Sequence, residues 1–317
     1  MSDTLIEHLK SSIAKLKNLD LSTYPTDEII SLMKNFGKVV VIEYKLHPGK
    51  IILRARPQDN QWPYKTRASL SYKPQQFNKT YQRASTPNQT MFYGSIIPEE
   101  IDKGELDNER IVVTMEASQW LAKQTECGVR QIAYSKWEVT SDIKLVAVLQ
   151  NKDFFDASAH TRKIVKDFNA FVENNPEYRE PSILISDYIA GEFGKEEIPA
   201  DYHYLISALY TDFVIDAGFD GVLYPSVRVR GEGFNVAITP EAADSKIKLV
   251  AAGECTIYKR VFGDSIIDNN TGVQITNENE PFVFLPVDTK DHTGETTCLA
   301  NLGVNKTDEL CKENLDP

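Results

Sequence analysis

The stretch "GFDGVLYPSVRVRGEGFNVAI", residues 218–238, indicates how the central sheet of this chain is built. An apolar run ends at Pro225, Gly231 and Gly233 follow, and a second apolar run begins after them. A dinucleotide-binding glycine loop needs a helix after the glycines, and a P-loop needs Gly-Lys-Ser/Thr. Strand-like residues lie on both sides here, so we predict a β-hairpin whose turn contains the two glycines.

The polar residues of the same stretch are candidates for ligand binding. Ser226, Arg228 and Arg230 stand at alternate positions, so a strand continuing through them would place all three on one face of the sheet. A hydroxyl followed by two cations suits ribose or phosphate. The alternative is that the arginines face solvent, and the pattern leaves both open.

Outward from this hairpin, strands and helices mix without regular βαβ alternation, which predicts an α+β fold rather than a doubly wound sheet. The runs "VVVIEYKL" (39–46) and "IILRAR" (51–56) are strand-like, and the intervening "HPGK" predicts a hairpin between them. We divide the chain into an N-terminal helical extension (1–38), a main domain (39–265) and a polar, loosely structured C-terminal tail (266–317).

Composition limits the functional classes. The chain has 317 residues and a net charge of -11, which argues against nucleic acid or an anionic membrane as the partner of the whole surface. No secretion signal and no apolar run of membrane-spanning length is visible, so we expect a cytoplasmic protein. The four cysteines lie far apart without a C-x-x-C pair, which favours reduced thiols over a disulfide framework.

Candidate site residues also lie outside the opening stretch. Arg54 and Arg56 alternate along a predicted strand with apolar neighbours, where a buried guanidinium needs an anionic partner such as a pyrophosphate. The alternative is two exposed arginines on an edge strand. Tyr93 ends a short strand in "FYGS" and can stack on a flat heterocycle, or serve as a core tyrosine. Glu116 lies at a predicted strand-to-helix transition, where the alternative is a solvated glutamate in a first helical turn.

Other chemistries fit less well. The five histidines are scattered without metal-ligand spacing, and Ser226 lies in Tyr-Pro-Ser-Val rather than in G-x-S-x-G. We therefore expect neither a metal cofactor nor an acyl-enzyme.

Taken in order, three segments resemble the RES domain family, named for its Arg, Glu and Ser. They are "ILRAR" (52–56), "YQRASTPNQTMFYGS" (81–95) running on to "TMEAS" (114–118), and the opening stretch. The resemblance spans roughly residues 40 to 265. An acidic insertion, "IIPEEIDKGELDNER" (96–110), separates Tyr93 from Glu116.

The resemblance assigns the family residues by position in this sequence. The arginine corresponds to Arg54, with Arg56 as the competitor, and the glutamate to Glu116, with Glu126 as the weaker option. The serine corresponds to Ser226, which "DG-x-x-YPS" surrounds. The predicted substrate-binding residues are Arg56, Arg83, Tyr93, Arg228 and Asn235.

RES proteins are similar in fold to ADP-ribosyltransferase toxins, with a split β core, and are NAD⁺-degrading toxins neutralised by an antitoxin. The resemblance implies an NAD⁺ glycohydrolase that uses NAD⁺ as substrate and no cofactor. In it, Arg54 would grip the pyrophosphate, Tyr93 would stack on nicotinamide, Glu116 would act at the ribose, and Ser226 would bond ribose or nicotinamide. The alternatives are ADP-ribosyl transfer, phosphorolysis of NAD⁺, or a non-catalytic nucleotide-binding or interaction module.

Overall fold

The computed structural model describes residues 3–37, 39–57, 64–98, 108–196, 198–275, 280–288 and 293–312. Most of the acidic insertion, residues 99–107, lies outside the described residues. Among the described residues, no helix has both the length and the apolar character needed to cross a membrane.

In the described part of the chain, a ten-stranded sheet has the order β1-β5-β6-β7-β3-β2-β4-β8-β9-β10. Only β5 and β6 pair in parallel; the other neighbours are antiparallel. The strands are β1 (Ile42–Leu46), β2 (Ile51–Pro57), β3 (Phe92–Ile96), β4 (Gly128–Val139), β5 (Ile143–Ala147), β6 (Gly221–Pro225), β7 (Phe234–Ile238), β8 (Ile247–Lys259), β9 (Ser265–Gln274) and β10 (Val283–Pro286).

Helices cover the sheet without alternating regularly with its strands, so the α+β class is confirmed. The helices are α1 (Asp3–Asn18), α2 (Thr26–Lys34), α3 (Arg67–Leu70), α4 (Glu109–Ala117), α5 (Gln119–Ala122), α6 (Ala159–Glu173), α7 (Pro176–Phe193), α8 (Leu205–Asp216), α9 (Pro240–Lys246) and α10 (Glu295–Asn301).

The two central strands of the sheet, β2 and β3, share the fewest paired residues. β2 and β3 share one registered pair, Leu53 with Ser95, whereas β2 pairs with β4 along its whole length. Beyond Leu53 the two strands diverge, and Arg54 instead donates a side-chain hydrogen bond to the carbonyl oxygen of Tyr93 (2.6 Å). The sheet therefore opens between two five-stranded halves, and this opening positions the site described below.

The predicted hairpin at the opening stretch is present, with β6 antiparallel to β7 from Gly221–Ile238 to Pro225–Phe234. The strand does not continue through the arginines, however. Ser226 starts a turn closed by hydrogen bonds to Gly231 and Gly233, and residues 227–229 form a 3-10 helix inside it. The prediction that Ser226, Arg228 and Arg230 share one strand face was therefore wrong, because this turn directs the three side chains differently.

Two other predictions need correction: the hairpin between residues 39–46 and 51–56, and the loosely structured C-terminal tail. "HPGK" makes a turn, but its hydrogen bonds go to the end of β4: Gly49 N donates to Val139 O, and Val139 N donates to Lys50 O. The strand that follows, β2, therefore pairs with β4. β1 pairs with β5 instead. The C-terminal region is not a loose tail either, because β9 and β10 extend the sheet beyond β8.

The N-terminal extension forms the two predicted helices. Apolar side chains of α1 and α2 pack against α7 and α8 in one core cluster, which includes Leu9, Ile29, Ile189 and Leu209. Each of these four side chains is buried. The extension is therefore joined to the domain by a continuous apolar core.

The cysteines do not all remain thiols. Cys127, which precedes β4, and Cys311, near the C-terminal end of the described chain, form a disulfide with a Cα–Cα distance of 5.3 Å. Cys255 and Cys298 are free and buried. The prediction of four reduced cysteines was wrong, because the fold brings together two residues 184 positions apart, which sequence spacing does not indicate.

Candidate functional site

A cleft of about 390 Å³ lies where the sheet opens between β2 and β3. Both strands, α4, the β6–β7 turn and two loops contribute to it. Its lining residues are Arg54, Ala55, Gln82, Arg83, Tyr93, Gly94, Ser95, Val113, Glu116, Ala117, Tyr204, Tyr224, Arg228 and Asn235.

Arg54 of β2 is a buried cation at the opening. Its guanidinium lies over the ring of Phe92 (5.2 Å to the centroid) and donates to the Tyr93 carbonyl. Its Nε is buried and makes no hydrogen bond. Burial, and then the charge of Arg56, lower the pKa of Arg54 from 12.5 to about 9. The group is still cationic at neutral pH, but its charge is poorly compensated, which favours binding of an anion.

Arg56, the competitor for the family arginine, does not line the cleft. Its guanidinium donates to the Ser69 carbonyl (2.6 Å) and lies over the ring of Tyr64. The fold thus places Arg54, and not Arg56, in the cleft.

Glu116 is carried by a helix throughout, which corrects the prediction of a strand before it. Asn108 caps α4 by accepting from Arg110 N, and Val112 and Val113 are buried on the face that packs over β2 and β3. Tertiary packing thus overrides the strand preference of the β-branched run. Glu116 therefore lies in the last turn of the helix, not in a first turn.

Two side chains hold the Glu116 carboxylate by the same oxygen. Ser226 Oγ donates to Glu116 Oε1 at 2.6 Å, and Asn235 Nδ2 donates to it at 2.7 Å. Asn235 is itself oriented by Ser95, whose hydroxyl donates to Asn235 Oδ1 at 2.8 Å. Within the described part of the chain, no hydrogen bond is donated to Oε2. The carboxylate is thus fixed with one oxygen available.

Ser226 lies behind this carboxylate. It is fully buried and does not line the cleft, and its backbone closes the β6–β7 turn. The resemblance implies that Ser226 bonds ribose or nicotinamide, whereas its hydroxyl is committed to Glu116. We therefore treat Ser226 as a positioning residue.

The two glycines of the opening stretch allow the turn to approach its neighbours. A Cβ on Gly233 would lie 2.4 Å from Val112 Cγ2 of α4. Gly231 has φ +84°, and a Cβ there would meet Phe154 and Ala157 below 3 Å. Only glycine at 233 lets the Ser226 turn lie directly against the helix that carries Glu116.

Aromatic rings form much of the remaining lining. The Tyr93 hydroxyl is held by Ala84 N (3.1 Å) and Ser85 Oγ (2.7 Å), and burial raises its pKa. Tyr224 is buried, and Tyr204 is half-buried. Sequence reasoning did not select Tyr204, because it lies in a turn before α8 without a motif around it.

Of the three remaining candidate arginines, two line the cleft and one does not. Arg83 lines the cleft and donates to the carbonyls of Phe193 and Lys195 at the end of α7. Arg228 lines it too, and in the described structure it makes neither a hydrogen bond nor an ion pair. Arg230 is exposed outside the lining.

Glu126, the weaker option for the family glutamate, lies away from the cleft. It pairs with Lys123 (2.9 Å) and Arg130 (3.5 Å), and the hydrogen bond from Lys123 lowers its pKa. These contacts are those of a surface ion pair. Glu116 is thus the glutamate that the fold brings to Arg54.

Comparison with known proteins adds one family. The family model of the RES domain matches residues 151–257, which include Ser226, Arg228 and Asn235 but not Arg54 or Glu116. A search of curated proteins gives no significant match. RES domains are associated with NAD⁺-processing enzymes. Residues 151–257 of this chain are thus similar to the RES domain, which supports assignment to the RES domain family.

Proposed function

We propose that this chain is an NAD⁺ glycohydrolase that cleaves the bond between nicotinamide and ribose. The observation that carries the proposal is the Glu116 carboxylate, fixed through one oxygen by Ser226 and Asn235 in the same cleft as the buried Arg54. The opening of the sheet between β2 and β3 supports an ADP-ribosyltransferase-like split core as part of the same proposal.

The cleft offers donors for the anionic part of a dinucleotide. The buried Arg54 Nε lacks a hydrogen-bond acceptor, and Arg228 makes no contact with an acceptor among the described residues. A guanidinium binds phosphate oxygens through paired N–H donors. Arg54 and Arg228 would therefore hold the pyrophosphate, while Arg83 remains bonded to the carbonyls of Phe193 and Lys195.

The chemistry requires little acid catalysis because nicotinamide leaves as a neutral molecule. The ribose C1′–N bond breaks with its electron pair going to nicotinamide, and positive charge develops on the ribose as in a glycosidase transition state. Glu116 stabilises this charge, and its free Oε2 can orient the water that attacks C1′. The products are nicotinamide, ADP-ribose and the proton released from that water.

The test is incubation of the purified full chain with NAD⁺, with chromatographic measurement of nicotinamide and ADP-ribose. Phosphate and a mixture of acceptor proteins are added in parallel, so that a phosphorylase or transferase is recognised by its product. We expect nicotinamide release without either addition. A wild-type chain that consumes no NAD⁺ in any of these reactions would contradict the proposal and favour a binding module.

The Glu116→Gln variant tests the role of the carboxylate. Gln keeps an oxygen that can accept from Ser226 and Asn235 but removes the negative charge, so we expect kcat to fall by about 100-fold to 1,000-fold. Glu126→Gln is the matched control, because Glu126 lies in a surface ion pair and should retain the wild-type rate. Arg54→Gln should mainly raise KM, because it removes the cation proposed to hold the pyrophosphate.

The wider role is part of the proposal. The RES assignment and the proposed chemistry together suggest a toxin that acts on cytoplasmic NAD⁺ and is restrained by an antitoxin or immunity protein. Expression of the wild type and of Glu116→Gln in a bacterial host separates this role from turnover alone. We expect growth arrest with a fall in cellular NAD⁺ from the wild type only; continued growth despite the loss of NAD⁺ would contradict the toxin role.

A further inference from the structure

Two segments outside the sheet and outside α4 form one wall of the cleft. We call it the Tyr204 wall and define it by Gln82, Arg83 and Tyr204, all of which line the cleft. The Tyr204 ring lies 5.4 Å from the Arg83 guanidinium carbon, in a cation–π contact. Tyr204 is half-buried, and its hydroxyl bonds to no other described residue. An aromatic face at a cleft surface can stack on a nucleotide base or on nicotinamide.

Tyr204 ends a 3-10 helix, Asp201–Tyr204, whose first residue is held by the N-terminal extension. The Tyr24 hydroxyl donates a hydrogen bond to Asp201 Oδ1. The other carboxylate oxygen, Oδ2, accepts from the backbone N–H of Tyr81 at 3.2 Å. Asp201 thus joins three segments: the extension, the turn that carries Tyr204, and the loop that carries Gln82 and Arg83.

The backbone at Tyr24 is also unusual. Tyr24 has φ 53° and ψ 55°. This left-handed conformation is common for glycine and uncommon for a residue with a bulky side chain. Its ring lies 6.0 Å from that of Tyr81 and 6.1 Å from that of Tyr202. With its hydroxyl on Asp201, Tyr24 thus contacts both segments that carry the Tyr204 wall.

We propose that Tyr24 is a positioning residue of the substrate cleft, which acts through Asp201 to fix Tyr204 against an aromatic ring of the bound dinucleotide. The inference rests on the proposed function for the identity of the ligand. The N-terminal extension then affects substrate binding indirectly. It does not line the cleft, but it fixes the position of Tyr204, which does.

The central variant is Tyr24→Phe, which keeps the ring and removes the hydroxyl. We expect KM for NAD⁺ to rise about 5-fold or more with kcat within about twofold, the range of a typical coupling between sites. The matched control is Tyr72→Phe, which removes a hydroxyl that donates to Asp244 (2.6 Å) away from the cleft. Tyr72→Phe should leave both constants unchanged.

A double-variant cycle separates positioning from general packing. Tyr204→Ala alone should raise KM at least as much as Tyr24→Phe does. In the Tyr204→Ala background, Tyr24→Phe should then add little, because its effect passes through the missing ring. Fully additive increases in KM, or a Tyr24→Phe variant with unchanged KM, would overturn the inference.

Hydrogen exchange of the unliganded chain gives a measurement that does not depend on turnover. In Tyr24→Phe we expect faster amide exchange in peptides covering 198–210 than in the wild type, and no such change in Tyr72→Phe. Unchanged exchange would overturn the positioning role even if the chain cleaves NAD⁺. If exchange is faster in Tyr24→Phe but the wild-type chain cleaves no NAD⁺, the contact through Asp201 is real. The identification of the ligand as a dinucleotide and the proposed function would then both be wrong.

Discussion

Replacement of Ser226 by alanine distinguishes a substrate contact from a residue that positions Glu116. The change removes one hydroxyl that donates to Glu116 Oε1 at 2.6 Å from a fully buried position. It leaves Asn235 as the remaining donor to that oxygen. Alanine is smaller than serine, so it fits the same turn without displacing the backbone that closes on Gly231 and Gly233.

The size of the effect follows from the bond that is lost. A hydrogen bond to a charged group contributes about 1.5 to 3 kcal/mol net. If the transition state needs the carboxylate in this orientation, that energy is lost from the activation step, and each 1.36 kcal/mol is tenfold in rate. We therefore expect kcat to fall by about 10-fold to 150-fold. KM should change by less than about twofold, because Ser226 does not line the cleft.

The assay is the initial rate of nicotinamide release over a range of NAD⁺ concentrations. Ser182→Ala is the control, because Ser182 is also fully buried and accepts a hydrogen bond from Val40 N (2.9 Å) away from the cleft. It should lower the unfolding temperature without changing kcat. The result that refutes our assignment is a large rise in KM with kcat retained in Ser226→Ala, which would make Ser226 a direct substrate contact.

Three further changes test other parts of the structure. Gly233→Ala should lower kcat and the unfolding temperature, because its Cβ would lie 2.4 Å from Val112, and Val112→Ala should restore part of both. Burial raises the pKa of Asp212 to about 6, so stability falls as pH rises from about 4 to 6; Asp212→Asn should therefore unfold at higher temperature than wild type at pH 7.5 but not at pH 3. Replacing Cys127 and Cys311 together by serine opens a 184-residue loop, which should reduce the free energy of unfolding by at most about 5 kcal/mol in denaturant titration.

Local patterns predicted the parts of the fold that depend on local chemistry. The β6–β7 hairpin, the two N-terminal helices and most strands follow from apolar periodicity and from glycine positions. The segment 111–117 did not, because its β-branched run is typical of a strand and becomes helical only by packing over β2 and β3. α7 contains Pro181 in its interior, which hides a helix from a search based on local pattern.

Long-range contacts account for what the sequence could not resolve in the site. Arg54 and Arg56 alternate on one strand, and their different long-range contacts separate them: Arg56 bonds the Ser69 carbonyl of α3, whereas Arg54 bonds the Tyr93 carbonyl at the cleft. The contact of Ser226 with Glu116 joins residues 110 positions apart, so no motif spacing could indicate that the serine positions the glutamate. Tyr204 was missed for the same reason, since its place in the cleft depends on Arg83 and Asp201.

The electrostatics of the cleft give an independent reason to expect a ligand with an anionic group beside Arg54 and positive charge beside Glu116. Glu116 lies in the last turn of α4, where the helix dipole disfavours a negative charge by a few tenths of a kcal/mol to about 1 kcal/mol. Arg54 is buried with an unpartnered Nε and without a carboxylate bonded to its guanidinium among the described residues. Both arrangements lower the stability of the fold, and a purely structural site would gain from exchanging these residues for neutral ones. A pyrophosphate on Arg54 and a developing positive charge beside Glu116 would offset both costs at once, which is what complementarity to a transition state requires.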